Sequence, residues 1–142
     1  MENGKKPIDI LIDTDIGGDI DDALALALAL NSPELNVVGI TTNYLANEWR
    51  TNLTKEMLAV FGRADIEVAM GAEKPLLGWW DDNHTLPQRP VSLSQDGREL
   101  PCACDYIVEK AEQVENLTIV AIGPMTSVGL AFAKAPHIAE KV

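Results

Sequence analysis

The apolar run Ile8-Asp9-Ile10-Leu11-Ile12 ends directly in Asp13-Thr14-Asp15-Ile16-Gly17-Gly18-Asp19-Ile20-Asp21-Asp22, which places five carboxylates within ten residues. The β-branched run reads as a short buried strand. The acids at its end cannot enter a core without partners, and at short range they repel one another strongly. The strand must therefore emerge at a polar edge of the fold, where a cation with oxygen ligands would relieve the repulsion. This junction is read as a site before it is read as a fold element.

The segments that follow alternate in type. Asp21–Leu30 (DDALALALAL) alternates like a strand, but alanine and leucine favour helix and no β-branched residue occurs in it. It is predicted as a helix buried on most sides, with its acids at the positive end of the helix dipole and Asn31-Ser32-Pro33 as its stop. Val37–Thr42 is a second strand, and a helix is expected from about Glu48 to Phe61. Ile66–Ala69 is a third short strand. A long loop, Gly71 to Gly97, carries Pro75, Trp79, Trp80, Pro87 and Pro90. Asp105–Val114 is helical and Leu117–Ile122 is a fourth strand. Gly123-Pro124 turns the chain into a last helix, with proline suited to the first turn.

Strands alternating with helices imply an α/β fold: a three-layer, open, mostly parallel, Rossmann-like sheet with helices on both faces. Ligands of such sheets bind beyond the carboxyl ends of the strands. The acid run, Asn43, Gly71 and Gly123–Thr126 follow strands one to four and converge on that rim. The 142 residues suit one domain burying roughly two-thirds of its unfolded surface. A net charge of −11 argues against a nucleic-acid partner, which needs basic stripes. No run approaches ~20 apolar residues, so no membrane span is expected. The polar start of the chain lacks an apolar signal region, which makes a cytoplasmic location the default. Cys102 and Cys104 fit no common zinc spacing. A disulfide between them would be strained, so they read as reduced thiols at a helix start.

Calcium takes six to eight oxygen ligands. Asp15 at the strand end and Asp22 at the helix start could supply carboxylates. Asp21 points about 100° around the helix from Asp22, so one of that pair can hold metal while the other accepts hydrogen bonds from a ligand. Gly17 and Gly18 permit the turn between them. Magnesium is the competing cation.

These residues resemble the amino-terminal half of the inosine–uridine-preferring nucleoside hydrolase family, which opens with D-x-D-x-G-x-D-D-A after a first strand. Here the run is Asp13-Thr14-Asp15-Ile16-Gly17 and then Asp21-Asp22-Ala23, with two extra residues between the glycine and the acid pair. The likeness continues in Gly39-Ile40-Thr41-Thr42, Gly71-Ala72-Glu73-Lys74-Pro75-Leu76 and Ile122-Gly123-Pro124-Met125-Thr126-Ser127. It implies calcium-dependent hydrolysis of the N-glycosidic bond of a small-molecule ribonucleoside. Asp15 would be a calcium ligand and the base for the attacking water. Asp22 would be a second calcium ligand, and Thr126 would offer its carbonyl to the metal. Asp21 would bind a ribose hydroxyl, although Asp19 could take that role instead. Asn43 or Asn47 would match the family's substrate-binding asparagine, and Asp13 would stand behind the metal. Ser127 occupies the place of a usual asparagine.

The resemblance further implies that residues 1–142 form the amino-terminal part of one hydrolase domain. The carboxy-terminal part, with the family's histidine and a further calcium-binding aspartate, is expected to be absent. The chain then reads as a truncated form of limited activity, with an exposed apolar edge that favours self-association. His84 and His137 are expected at the surface. Trp79 and Trp80 are expected to pack the long loop onto the core rather than stack on a base. Two other readings remain. One is a non-catalytic calcium- or ribose-binding module. The other is a haloacid dehalogenase-type phosphatase using Asp13 as nucleophile, Asp15 as acid/base and magnesium.

Overall fold

The computed structural model describes residues 6–76 and 100–142. Four strands, β1 (Ile8–Thr14), β2 (Leu35–Thr42), β3 (Val68–Met70) and β4 (Thr118–Ala121), form one sheet in the order β3-β2-β1-β4. All three pairings are parallel. Helices α1 (Asp21–Asn31), α2 (Asn47–Val60) and α3 (Ala103–Gln113) lie between successive strands, and α4 (Thr126–Lys134) and a 3-10 turn, Pro136–Glu140, follow β4.

The strand period of two divides the core into two layers. Ile10 and Ile12 of β1 face one side with Val37, Ile40, Val68, Leu26 and Ala29 of α1 and Leu58 of α2. Leu11 faces the other side with Tyr106 and Ile107 of α3, Val128 and Ala131 of α4, and Ile138. The result is the three-layer α/β/α arrangement that the alternation of elements predicts. Register shifts between Ile10 and Leu11, where Val38 is the extra residue on β2. A β-carbon on the next residue, Gly39, would lie 2.4 Å from the Tyr106 hydroxyl, so glycine at 39 lets the α3 tyrosine lie against β2.

One expectation is corrected. The Ala-Leu helix is not buried on most sides. Of α1 only Asp22, Leu26 and Ala29 are buried, while Leu24 and Leu28 are 62% and 70% exposed. Leu24, Leu28 and the preceding Ile20 recur every four residues, so they form one outward stripe. A helix packed on a single sheet face buries only one such stripe, whatever the hydrophobicity of the rest.

Boundaries also move. β3 starts two residues late and β4 is shorter at both ends. α3 begins at Ala103, because the chain returns beside β3: Met70 N–H donates to the Pro101 carbonyl at 3.1 Å, and Met70 bridges Cys102. β4 lies at the sheet edge with only partial burial. Trp79, Trp80 and His84 lie outside the described residues. His137 is exposed and sits 2.9 Å from Glu112. Among the described residues, no helix is long and apolar enough to cross a membrane.

Candidate functional site

The carboxyl ends of β1, β2, β3 and β4 bring the predicted residues to one rim. Asp13, the penultimate residue of β1, is fully buried. Its Oδ1 accepts from Thr41 Oγ1 at 2.6 Å and from Asn43 Nδ2 at 2.9 Å. Burial pushes its carboxyl above the usual range; these two hydrogen bonds oppose the shift, and the neighbouring Asp15 charge adds to it. Thr14 closes the loop after the strand. Its hydroxyl donates to Asp22 Oδ1 at 2.6 Å and accepts from the Ile16 N–H at 3.0 Å. Asp22 is likewise buried and shifted upward, first by desolvation, against the Thr14 hydrogen bond, and further by Asp15 and Asp21. Asp15 is half-buried and near enough to both acids for its charge to raise each of them. Asp19 and Asp21 are exposed, so of the predicted acids the structure brings Asp13, Asp15 and Asp22 furthest into the rim.

The two candidate asparagines separate. Asn43 is buried and turns toward Asp13. Asn47 is buried too, but its amide donates to the Thr42 carbonyl at 3.2 Å and the Gly71 carbonyl at 2.7 Å, tying β2 to the segment after β3. Only its Oδ1 remains for another partner. Thr126 is buried at the start of α4, and its hydroxyl donates to the Pro124 carbonyl at 2.8 Å. Gly123 explains how β4 reaches the acids: an added β-carbon would lie 2.9 Å from the Asp15 nitrogen, 3.0 Å from the Thr14 carbonyl carbon and 3.1 Å from Asn43 Oδ1.

Arg50 is a residue that the sequence reading overlooked. It is fully buried in α2. Its Nε donates to the Leu45 carbonyl at 2.8 Å, and its Nη1 donates to the carbonyls of Ile16, at 2.8 Å, and of Asp15. Its guanidinium lies 5.6 Å from the Tyr44 ring. Burial lowers its pKa, while Asp15 and Asp22 hold the charge on. The acid run is thus not wholly uncompensated, since the chain supplies one cation of its own. A signal was present in the sequence. Asn47, Arg50, Thr51, Thr54 and Leu58 follow the helical period of a core-facing stripe.

Polar atoms at this rim are left without partners. Asp13 Oδ2, Asn43 Oδ1, Asn47 Oδ1 and Ser127 Oγ are buried and make no hydrogen bond. Such atoms are costly unless something satisfies them. Three of them, the Asp13 carboxylate oxygen and the amide oxygens of Asn43 and Asn47, are acceptors, which suits a cation or a ligand hydroxyl. The carboxylates do not by themselves close a cage. Among the described residues, the one cluster of three Cys, His, Asp or Glu ligand atoms within 4.8 Å of one another is Cys102, Cys104 and Asp105. The acids form a wall rather than a complete coordination sphere. Backbone strain gathers in the same place. Gly17 has φ +103°, and Tyr44, Ala46 and Met125 hold positive φ in the loops after β2 and β4.

An open parallel sheet covered on both faces, with an acidic polar site at its carboxyl edge, defines an α/β domain of the ligand-binding, open-sheet class. The chain belongs to the inosine-uridine preferring nucleoside hydrolase family, whose model matches residues 10–142. Probable uridine nucleosidase 2 of Arabidopsis thaliana is 35% identical over 94% of this chain and 44% of its own length. Pyrimidine-specific ribonucleoside hydrolase RihA of Escherichia coli is 36% identical over 94% of this chain and 45% of its own. A solved plant nucleoside hydrolase, the PpNRh1 enzyme, superposes with a TM-score of 0.75 at 31% identity, covering 96% of this chain and 46% of that one. An inosine-guanosine nucleoside hydrolase gives 0.76 at 29% identity, covering 96% and 44%. The chain spans about half the length of the proteins it matches.

Proposed function

We propose that this chain forms the amino-terminal wall of a calcium-dependent ribonucleoside hydrolase site. The observation that carries the reading is the pair of buried, acceptor-only oxygens, Asp13 Oδ2 and Asn43 Oδ1, at a rim already lined by Asp15 and Asp22. Oxygen donors of this kind suit a hard cation, and a wall rich in carboxylates favours calcium over magnesium. Asp15 and Asp22 would hold the ion, together with a backbone carbonyl from the β4–α4 junction. Thr126 is one candidate for that carbonyl. Ile122 is another, because it lies just past β4 with its N–H on the Asp13 carbonyl at 2.8 Å, whereas the Thr126 carbonyl starts the α4 ladder. A bound calcium would supply a water of lowered pKa and a grip on vicinal ribose hydroxyls.

The chain's own residues then have separable tasks. Asp15, the half-buried acid just after β1, takes the proton of the attacking water. Asp21, with Asp19 as the alternative, accepts from a ribose hydroxyl. Asn43 does the same through its free Oδ1, and Asn47 fixes the strand ends beneath it. Asp13 sits behind the wall, oriented by Thr41 and Asn43. Carboxylates around the sugar stabilise the oxocarbenium-like charge as the base departs. The match to only part of each relative supports reading residues 1–142 as one part of a hydrolase domain, with limited turnover by themselves. The substrate is a small ribonucleoside, with no nucleic-acid or membrane partner, in a cytoplasmic setting. The outward apolar stripe Ile20, Leu24 and Leu28 supports self-association.

The test is calorimetry and turnover on the purified chain. Calcium binding that is lost in Asp22→Asn, with little hydrolysis of inosine or uridine, is the expected result. Robust turnover by this chain would overturn the one-wall reading. Absence of calcium binding together with release of phosphate from a generic phosphoester would favour the phosphatase reading.

A further inference from the structure

On the opposite face of the sheet from α1 and α2, the start of α3 gathers three metal-ligating side chains that the hydrolase reading does not use. Cys102 and Cys104 are both free thiols. Their sulfurs lie 3.2 Å apart, well beyond a disulfide bond. The Asp105 carboxylate is the third member, and the ligand atoms all lie within 4.8 Å of one another. The fold creates this geometry. Cys102 is extended and its neighbour Ala103 is fully buried, so the residues on either side of Ala103 are left at the surface. The bridge to Met70 and the Tyr106 N–H on the Cys102 carbonyl at 2.9 Å fix the backbone there.

The geometry points to a binding site for one thiophilic divalent metal ion, of the zinc type, held by Cys102, Cys104 and Asp105 with solvent in the remaining position. Tetrahedral zinc with bonds of ~2.3 Å to sulfur sets two thiolates about 3.8 Å apart, so side-chain rotation of a few tenths of an ångström suffices here. Thiolate ligands select soft or borderline ions over calcium, which keeps this site chemically separate from the all-oxygen rim. Two thiolates and a carboxylate around a dication leave a net anion, which suits the positive end of α3. Consecutive ligands on one helix start need little further ordering. Lys134 Nζ pairs with Asp105, so this exposed lysine competes with the metal for the carboxylate.

The experiment is titration of the reduced 142-residue chain with cadmium as a spectroscopic probe, followed by zinc competition. The expected result is a thiolate-to-cadmium charge-transfer band that saturates at one equivalent, with zinc displacing the cadmium. Cys102→Ser should abolish the band. Asp105→Asn should keep it but weaken affinity by about tenfold. Lys134→Met should tighten binding by freeing the carboxylate. All these positions are at the surface, and circular dichroism of each variant checks that the fold is kept. Lack of a band, an unaltered band in Cys102→Ser, or oxidation of the pair to a disulfide in place of metal uptake would each overturn the site.

Discussion

Arg50 donates from Nη1 to the Ile16 carbonyl at 2.8 Å, so a fully buried guanidinium on α2 anchors the backbone of the acid-bearing loop after β1. The same nitrogen reaches the Asp15 carbonyl, and Nε reaches Leu45. Arginine's planar fork serves three carbonyls of the loops after β1 and β2, one of them fully buried.

Arg50→Met should therefore destabilise the chain by about 2–4 kcal/mol, the range expected when buried acceptors lose their donors. Arg50→Lys should recover less than half of that loss, because one ammonium cannot span Leu45 and Ile16 together. Urea unfolding midpoints of the three proteins decide it. Equal stability of the lysine and arginine forms would contradict the role of the fork.

Thr14→Val keeps the side-chain shape and removes the hydroxyl that links Asp22 to the Ile16 N–H. A loss of about 1.5–3 kcal/mol is expected, since one of the two bonds involves a carboxylate. Calcium affinity should fall as well, because Asp22 is no longer oriented. A variant as stable as the parent would show that the loop closes without this link.

Metal dependence should vary with pH in a defined direction. Asp13 and Asp22 both have raised carboxyl pKa values when no metal is bound. A raised folded-state pKa means that the folded chain keeps a proton on these carboxyls more readily than the unfolded chain does. That contribution to stability is fully present below the unfolded pKa and is lost as pH rises through the folded one. Calcium binds the ionised forms and so reverses the trend. The difference in thermal midpoint with and without calcium should be larger near pH ~7.5 than near pH ~5. A difference that grows toward acid would exclude these carboxylates as the linked groups.

Gly123→Ala tests the approach of β4 to the site. The new β-carbon meets backbone atoms of Thr14 and Asp15 at 3.0 Å or less, and backbone does not yield as a side chain can. A cost of about 1–3 kcal/mol is expected from the forced displacement. Amide exchange should quicken at the β1–β4 end before it does elsewhere in the sheet.

Leu24→Gln with Leu28→Gln should change monomer stability by no more than ~0.5 kcal/mol, because both side chains already face outward. The same pair should lower any self-association seen by sedimentation. A much larger destabilisation would mean that the stripe is buried in the species that folds.

The sequence by itself determined the order and type of the elements, because strand and helix periods and the Gly and Pro stops are local signals. It also placed Asp13, Asp15, Asp22, Asn43 and Thr126 at one edge, because a parallel sheet carries every strand's carboxyl end to the same rim. What only the tertiary structure decided depends on neighbours distant in the chain. Asn43 meets Asp13 across thirty residues, and Asn47 instead ties strand ends together. The alternating Leu-Ala pattern of α1 could not say that Leu24 and Leu28 stay outside, since burial is set by what packs against a helix. Nor could composition reveal that Arg50 reaches back 34 residues to hold the loop that carries the acids. Close-range electrostatics fix such pairings only once the sheet has brought the partners together.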